Sequence, residues 1–135
     1  MAIRKPTDIS LDMLRGTIVA LVRRDSPDLS ARQLGIFLTC YLQDKNHTVR
    51  GLAADLNVSK PAITRALDRL GELDFARRKT DENDRRSVLV QRTPKGQAFL
   101  RELRGFMVEA TASATNPASV GGAARHAAAR NIQSA

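Results

Sequence analysis

TVRGLAADLNVSKPAITRALDRLGEL, residues 48–73, reads as two short amphipathic helices joined by a tight turn. In its first half Leu52, Ala53 and Leu56 fall at helical spacing, giving a helix over about Val49 to Leu56. Asn57 follows where the chain turns over. Asn is the non-glycine residue best able to take the left-handed conformation of an abrupt helix stop. The Ser59 hydroxyl can accept a hydrogen bond from an unpaired first-turn amide, and Pro61 sits where a missing amide loses no intrahelical partner, so the second helix starts at about Lys60. Along it Ile63, Ala66, Leu67 and Leu70 form a buried stripe, which turns Lys60, Thr64, Arg65, Asp68 and Arg69 outward. This is how a helix-turn-helix is built, with its second helix free to enter a major groove. Many all-helical domains contain two such helices, so the flanking sequence has to decide.

A chain of 135 residues suits one domain plus tails. A formal net charge of +8 predicts attraction to a polyanion: nucleic acid, an acidic protein or a membrane surface. A membrane is disfavoured, because the longest apolar runs, such as Thr17 to Val22, are far shorter than a spanning helix. No charged start precedes a signal-like core, so a cytoplasmic protein is expected. Cys40 is the only cysteine, and His47 and His126 stand far apart, so neither a disulfide nor a metal site is expected, and no cofactor. There are no paired carboxylates in a plausible cleft, no nucleophile beside a base and no phosphate-cradling loop; an enzyme is not expected.

Taken in order, residues 1–6 read as a flexible basic arm. Thr7 and Asp8 offer an N-cap to a first helix over about 7–24, with Leu11, Leu14, Ile18, Leu21 and Val22 along one face. After a loop at 25–28, Ser30 and Gln33 make a capping-box pattern for a helix to about Gln43. Its inward stripe is Leu34, Phe37, Leu38, Tyr41 and Leu42, and Cys40 beside them reads as an inert apolar thiol. His47 reads as a residue that caps or packs. Downstream of the motif, FARRK at 75–79 and SVLVQRT at 87–93 flank the polar stretch TDENDRR, giving two strands of a hairpin with a charged tip. Thr93 and Pro94 then open a helix in which Ala98, Phe99, Leu103, Phe106 and Met107 recur at helical intervals, weakened slightly by Gly96 and Gly105. From 111 to 135 the composition falls to Ala, Ser, Thr, Gly and Asn, a weakly ordered tail in which 123–130 can form a transient helix.

A helix-turn-helix followed at once by a charged hairpin is a winged helix, and here the sequence resembles the MarR family of bacterial transcription regulators. ThrArgAlaLeuAspArgLeu at 64–70 looks like that family's recognition-helix end, AspGluAsnAspArgArg at 81–86 like its wing, and ThrProLysGly at 93–96 like the start of its long dimerisation helix. The likeness covers about residues 7–108. It implies a mainly α fold with a small β-hairpin wing: a winged helix-turn-helix at about 30–92, with dimerisation helices at about 7–24 and 93–110.

The function implied is a homodimeric, sequence-specific regulator of transcription that binds double-stranded DNA, with the recognition helix 60–73 in the major groove and the wing 80–86 in the minor groove. Ser59, Lys60, Thr64 and Arg65 would meet base edges and flanking phosphates, with Arg65 having the fork geometry for guanine. Arg69 joins them as a phosphate contact, as do Arg77 and Arg78 or else as surface charge. At the wing, Arg85 or Arg86 would enter the narrow minor groove, where a planar guanidinium suits the deepened negative potential, and Asp84 would brace one of them. The family often places a ligand crevice between dimer helices and DNA-binding lobe, so the resemblance allows a small-molecule effector; one Tyr and no Trp supply no recognisable aromatic pocket. Two positions and the tail depart from the family. Asp74 stands where glycine is usual, though Asp also tolerates a left-handed backbone. Glu82 replaces a common proline, which predicts a more mobile wing tip. The tail lacks the family's last apolar helix, leaving the interface to the helices at 7–24 and 93–110, with Val120 and Ile132 as weak anchors. That incomplete dimer region motivates a competing reading, a winged-helix protein-interaction or adaptor module with little sequence-specific DNA binding; an arginine-rich surface argues against it.

Overall fold

The computed structural model describes residues 4–25 and 27–116; the expectations for residues 1–3 of the arm, for Val120 and Ile132 and for a helix at 123–130 lie outside the described residues. The elements run α1 (Pro6–Arg23), α2 (Ala31–Leu42), β1 (His47–Thr48), α3 (Val49–Leu56), α4 (Lys60–Glu72), β2 (Ala76–Thr80), β3 (Val88–Arg92) and α5 (Pro94–Thr115). They fall into two units. One is the lobe of residues 27–101, and the other combines residues up to 26 with those from 102 onward.

The lobe forms because its helices present apolar stripes to one another. α2 starts where the capping box predicts: Ser30 Oγ accepts from the Gln33 amide at 3.1 Å, and the Gln33 side chain accepts from the Ser30 amide at 2.9 Å. Ile36, Phe37, Leu52, Ile63, Leu67 and Leu70 are almost wholly buried. Phe37 sits at the aromatic centre, stacked on Tyr41 at 4.4 Å and edge-on to Phe99 at 5.1 Å, while Phe75 stacks on Phe99 at 4.5 Å. Each such pair contributes about 0.5–1.5 kcal/mol beyond its buried area.

The hairpin β2–β3 lies close to its expected place, with Arg78 opposite Val90 and Thr80 opposite Val88. A third strand is not expected from sequence: His47 and Thr48 pair antiparallel with Val90 and Leu89, giving the order β1-β3-β2. Two residues are too few to show an alternating pattern. Thr48 also caps α3, its Oγ1 accepting from the Gly51 amide at 2.9 Å. His47 packs as expected; it is buried, and its Nε2 donates to the Gln43 carbonyl at 2.9 Å.

Two apolar stripes need correcting. In α2 the buried set is Ile36, Phe37, Cys40 and Tyr41, while Leu42 is exposed. In α5, Ala98 is exposed and Leu100 is buried instead.

The second unit also differs from expectation at both ends. α1 begins at Pro6 with Lys5 at the N-cap and no side-chain cap, so Thr7 and Asp8 lie inside the helix, where Asp8 suits the positive end of its dipole. Arg4 of the expected arm is tied down, donating to the Ala114 carbonyl at 3.2 Å and pairing with Asp12 at 3.3 Å. α5 runs on to Thr115, past the boundary at 110. Small side chains explain this: Ala110 and Ala114 are buried, and a Cβ on Gly16 of α1 would lie 3.0 Å from that of Ala110, so the two helices approach closely. Arg24 and Glu102 pair at 2.6 Å. Among the described residues no helix is long and apolar enough to cross a membrane.

Candidate nucleic-acid interface

The second helix of the motif is set by its two ends. At the start Asn57 takes the left-handed conformation, with φ 53° and ψ 49°, and Ser59 Oγ accepts from the Ala62 amide at 3.3 Å. α4 therefore begins at Lys60, with Pro61 in its first turn. It ends at Glu72, one residue before the expected limit, where Asp74 is left-handed at φ 57°. The Phe75 amide donates to the Leu70 carbonyl at 2.8 Å and the Asp74 amide to that of Gly71 at 3.0 Å, the paired closure of a Schellman stop. Asp thus performs the turn for which glycine is usual.

Between these ends Ala62, Ile63, Ala66, Leu67 and Leu70 are buried, which holds the opposite face outward. Ser59, Lys60, Arg65 and Asp68 are exposed; Thr64 and Arg69 are half-buried. The arginines divide into two kinds. Arg69 pairs with Glu72 at 2.9 Å, Arg77 with Asp74 at 3.3 Å, and Arg78 with Asp68, a contact that ties the wing strand to the recognition helix. Lys60, Arg65, Arg85 and Arg86 form no salt bridge among the described residues. Their charge is left to solvent.

The wing tip is shaped by its acids, but not as expected. Asp84 Oδ1 accepts from the backbone amide of Arg86 at 3.2 Å, not from either guanidinium, and the Ser87 amide closes onto the Asp84 carbonyl at 2.9 Å. Asp81 Oδ1 accepts from the Asn83 amide at 2.9 Å in the same manner. Both are Asx turns, which fix the backbone and leave the arginine side chains unengaged.

The base of the wing is held by residues that sequence reasoning does not assign to the site. Tyr41 Oη donates to the Phe75 carbonyl at 2.7 Å and accepts from the Thr93 amide at 2.9 Å, so one buried hydroxyl joins the chain entering β2 to the chain leaving β3. Thr93 Oγ1 donates to the Asp74 carbonyl at 2.6 Å and accepts from the Gly96 amide at 2.9 Å, capping α5 at the same point. A Cβ on Gly96 would lie 1.8 Å from Tyr41 Oη and 2.5 Å from the Phe75 carbonyl oxygen. Gly96 is therefore required by close approach. The one signal for this cluster is Tyr41 itself, since a tyrosine in an apolar stripe needs a partner for its hydroxyl.

Cys40 takes no part in this surface. It is buried, and desolvation pushes its thiol up to about 11, opposed in part by Arg92. Arg92 donates to the Cys40 carbonyl at 2.9 Å, fastening β3 to the end of α2. Among the described residues no group of three or more His, Cys, Asp or Glu is placed to hold a metal ion.

The model of the MarR family matches residues 29–88. The fold is that of solved MarR-type structures. An S. aureus MepR mutant bound to an oligodeoxyribonucleotide has a TM-score of 0.66 at 18% identity, over 95% of this chain and 93% of that one. The YusO protein from Bacillus subtilis gives 0.60 at 21%, over 96% and 87%. Bordetella bronchiseptica BpsR, whose DNA binding is regulated by 6-hydroxynicotinic acid, gives 0.56 at 21%, over 98% and 94%. No curated protein matches this sequence.

Proposed function

We infer that this chain, which carries a MarR-family domain at residues 29–88, is a DNA-binding transcription regulator that acts in the cytoplasm as a binding protein rather than a catalyst. The observation that carries this reading is the division among the arginines. Arg69, Arg77 and Arg78 have carboxylate partners, whereas Lys60 and Arg65 on α4 and Arg85 and Arg86 on the wing are exposed without one among the described residues. A cationic helix face beside a cationic hairpin tip fits a major groove and the minor groove next to it. Arg65 reads a base edge, with Ser59, Lys60 and Thr64 around it. Arg85 or Arg86 enters the minor groove from a wing tip whose backbone Asp84 holds through the Arg86 amide. Arg69, paired with Glu72, contributes less than sequence alone suggests.

The protein works as a homodimer. Leu11, Leu14, Ile18 and Val22 of α1 and Met107 and Val108 of α5 are 45–69% exposed, a run of apolar surface that a second copy covers. Two recognition helices then engage half-sites about 34 Å apart. The DNA-bound MepR neighbour supports the duplex reading, and BpsR supports a small-molecule effector that shifts the population away from DNA. An adaptor role is disfavoured: in the described part of the lobe the exposed large apolar side chain is Leu42 alone, too little for an apolar docking face.

Selection of bound duplexes from a random pool, read with the mass of the free protein in solution, tests this reading. A dimer enriching a two-fold symmetric sequence is expected; a protein that enriches no sequence overturns it.

A further inference from the structure

We infer that Arg32, in the first turn of α2, is a phosphate-contacting residue that grips one DNA strand beside the recognition helix; this rests on the duplex-binding reading above. A groove of about 370 Å³ runs between the start of α2 and α4, lined by Arg32 and Gln33 on one side and Ala62, Arg65 and Ala66 on the other. Ala62 and Ala66 are buried and small, so the groove stays open between Arg32 and Arg65. No carboxylate lines it. Arg32 and Arg65 are both exposed, and neither forms a salt bridge among the described residues. The other polar side chains there are already engaged, since Ser30 and Gln33 complete the capping box with each other's amides. What the groove has to offer a ligand is therefore cationic donors.

The position of Arg32 is unfavourable for α2 itself. The first turn of a helix is the positive end of its dipole, where an acid stabilises and a cation opposes it, and the first turn of α2 holds Arg32 and no acid. A local rule broken without a compensating contact inside the protein marks a residue whose partner comes from outside. A phosphate oxygen, which takes a charge-assisted hydrogen bond from a guanidinium, is the matching partner for Arg32. The phosphodiester backbone supplies that oxygen in this place: Arg65 on the far wall of the groove is the residue assigned above to a base edge, and phosphates flank that base on the same strand.

The test compares wild type, Arg32→Gln and Arg32→Lys across a salt series, on the selected duplex and on a random one. Arg32 is exposed on a capped helix, so Arg32→Gln keeps the fold, checked by circular dichroism and Tm. Arg32→Gln is expected to weaken binding by the same factor on both duplexes and to make the log-log salt slope shallower by about 0.9, the loss of one neutralised phosphate. Arg32→Lys keeps the slope. An Arg32→Gln slope equal to a steep wild-type slope overturns this assignment and leaves the duplex reading standing, as does a loss confined to the selected sequence. A wild-type protein with no salt-dependent duplex binding defeats the duplex reading, and this assignment with it.

Discussion

The lobe of residues 27–101 and the unit built from α1 and the end of α5 treat their surfaces in opposite ways. The lobe closes its apolar side chains on themselves around Phe37 and turns unpaired cations outward. The helical unit pairs Arg4 and Arg15 with Asp12 and Arg24 with Glu102, and leaves leucines, isoleucine and valine in solvent. A protein that acted alone would have little reason to do the second. The proposed partners accordingly differ in kind: a polyanion for the lobe, and an apolar surface, a second copy of the chain, for the helices.

The largest expected effect breaks the lobe's self-sufficiency. Phe37→Ala removes the ring that touches Tyr41, Phe75 and Phe99, and should cost about 3–5 kcal/mol of a total near 5–15 kcal/mol, read by urea denaturation. Next comes the open face of the helices. Leu14→Asp, at a side chain already 56% exposed, should leave the fold intact and halve the mass measured by sedimentation. Losing the second half-site contact should weaken operator binding by about two decades, the lower end of the gain from linking two sites. A mass and an affinity both unchanged would show that this face is not the dimer interface.

The lobe's outward charges are tested by Arg65→Ala, which should cost about 1–3 kcal/mol on the selected duplex and relax preference at one base position, with little change on random DNA. A pH effect sharpens the picture of its interior. Burial raises the Cys40 thiol from 9.0 to about 11, so the folded state holds its proton more tightly than the unfolded chain does. The stability this reflects is fully present below pH 9 and is lost as pH rises towards about 11, at no more than about 1.4 kcal/mol per pH unit. Denaturation midpoints measured from about pH 8 to about pH 11 should fall more steeply in wild type than in Cys40→Ala. The smallest effect belongs to the cap of α2: Ser30→Ala should cost about 1 kcal/mol, read by thermal unfolding.

Much of this is legible in sequence because it is local. The turn at Asn57, the cap at Ser59, the capping box at Ser30 and the α4 stripe each depend on residues close to one another in the chain, and the structure reproduces them. What escapes depends on distant partners or faint signals. Tyr41 meets Thr93 across 52 positions, so the clamp at the wing base leaves no spacing to read, and Gly96 looks like a weak helix residue until that hydroxyl lies against it. β1 is two residues long. The inward face of α2 includes Ile36 and excludes Leu42, a difference of rotation that hydrophobic spacing alone does not resolve. The true end of α5 is hidden because alanines bury little area, yet Ala110 and Ala114 pack closely for that very reason. At the candidate site, sequence identifies the arginines, but not which of them already have partners.

The most direct measurement is the affinity of wild type and Arg65→Ala for the selected duplex and a random one, each followed from low to high salt. The expected result is a steep loss of wild-type affinity, about 0.9 log units per log unit of salt for each phosphate neutralised, together with a preference for the selected sequence that Arg65→Ala reduces by about 1–3 kcal/mol. Equal binding of both duplexes by both proteins, unchanged by salt, would contradict it.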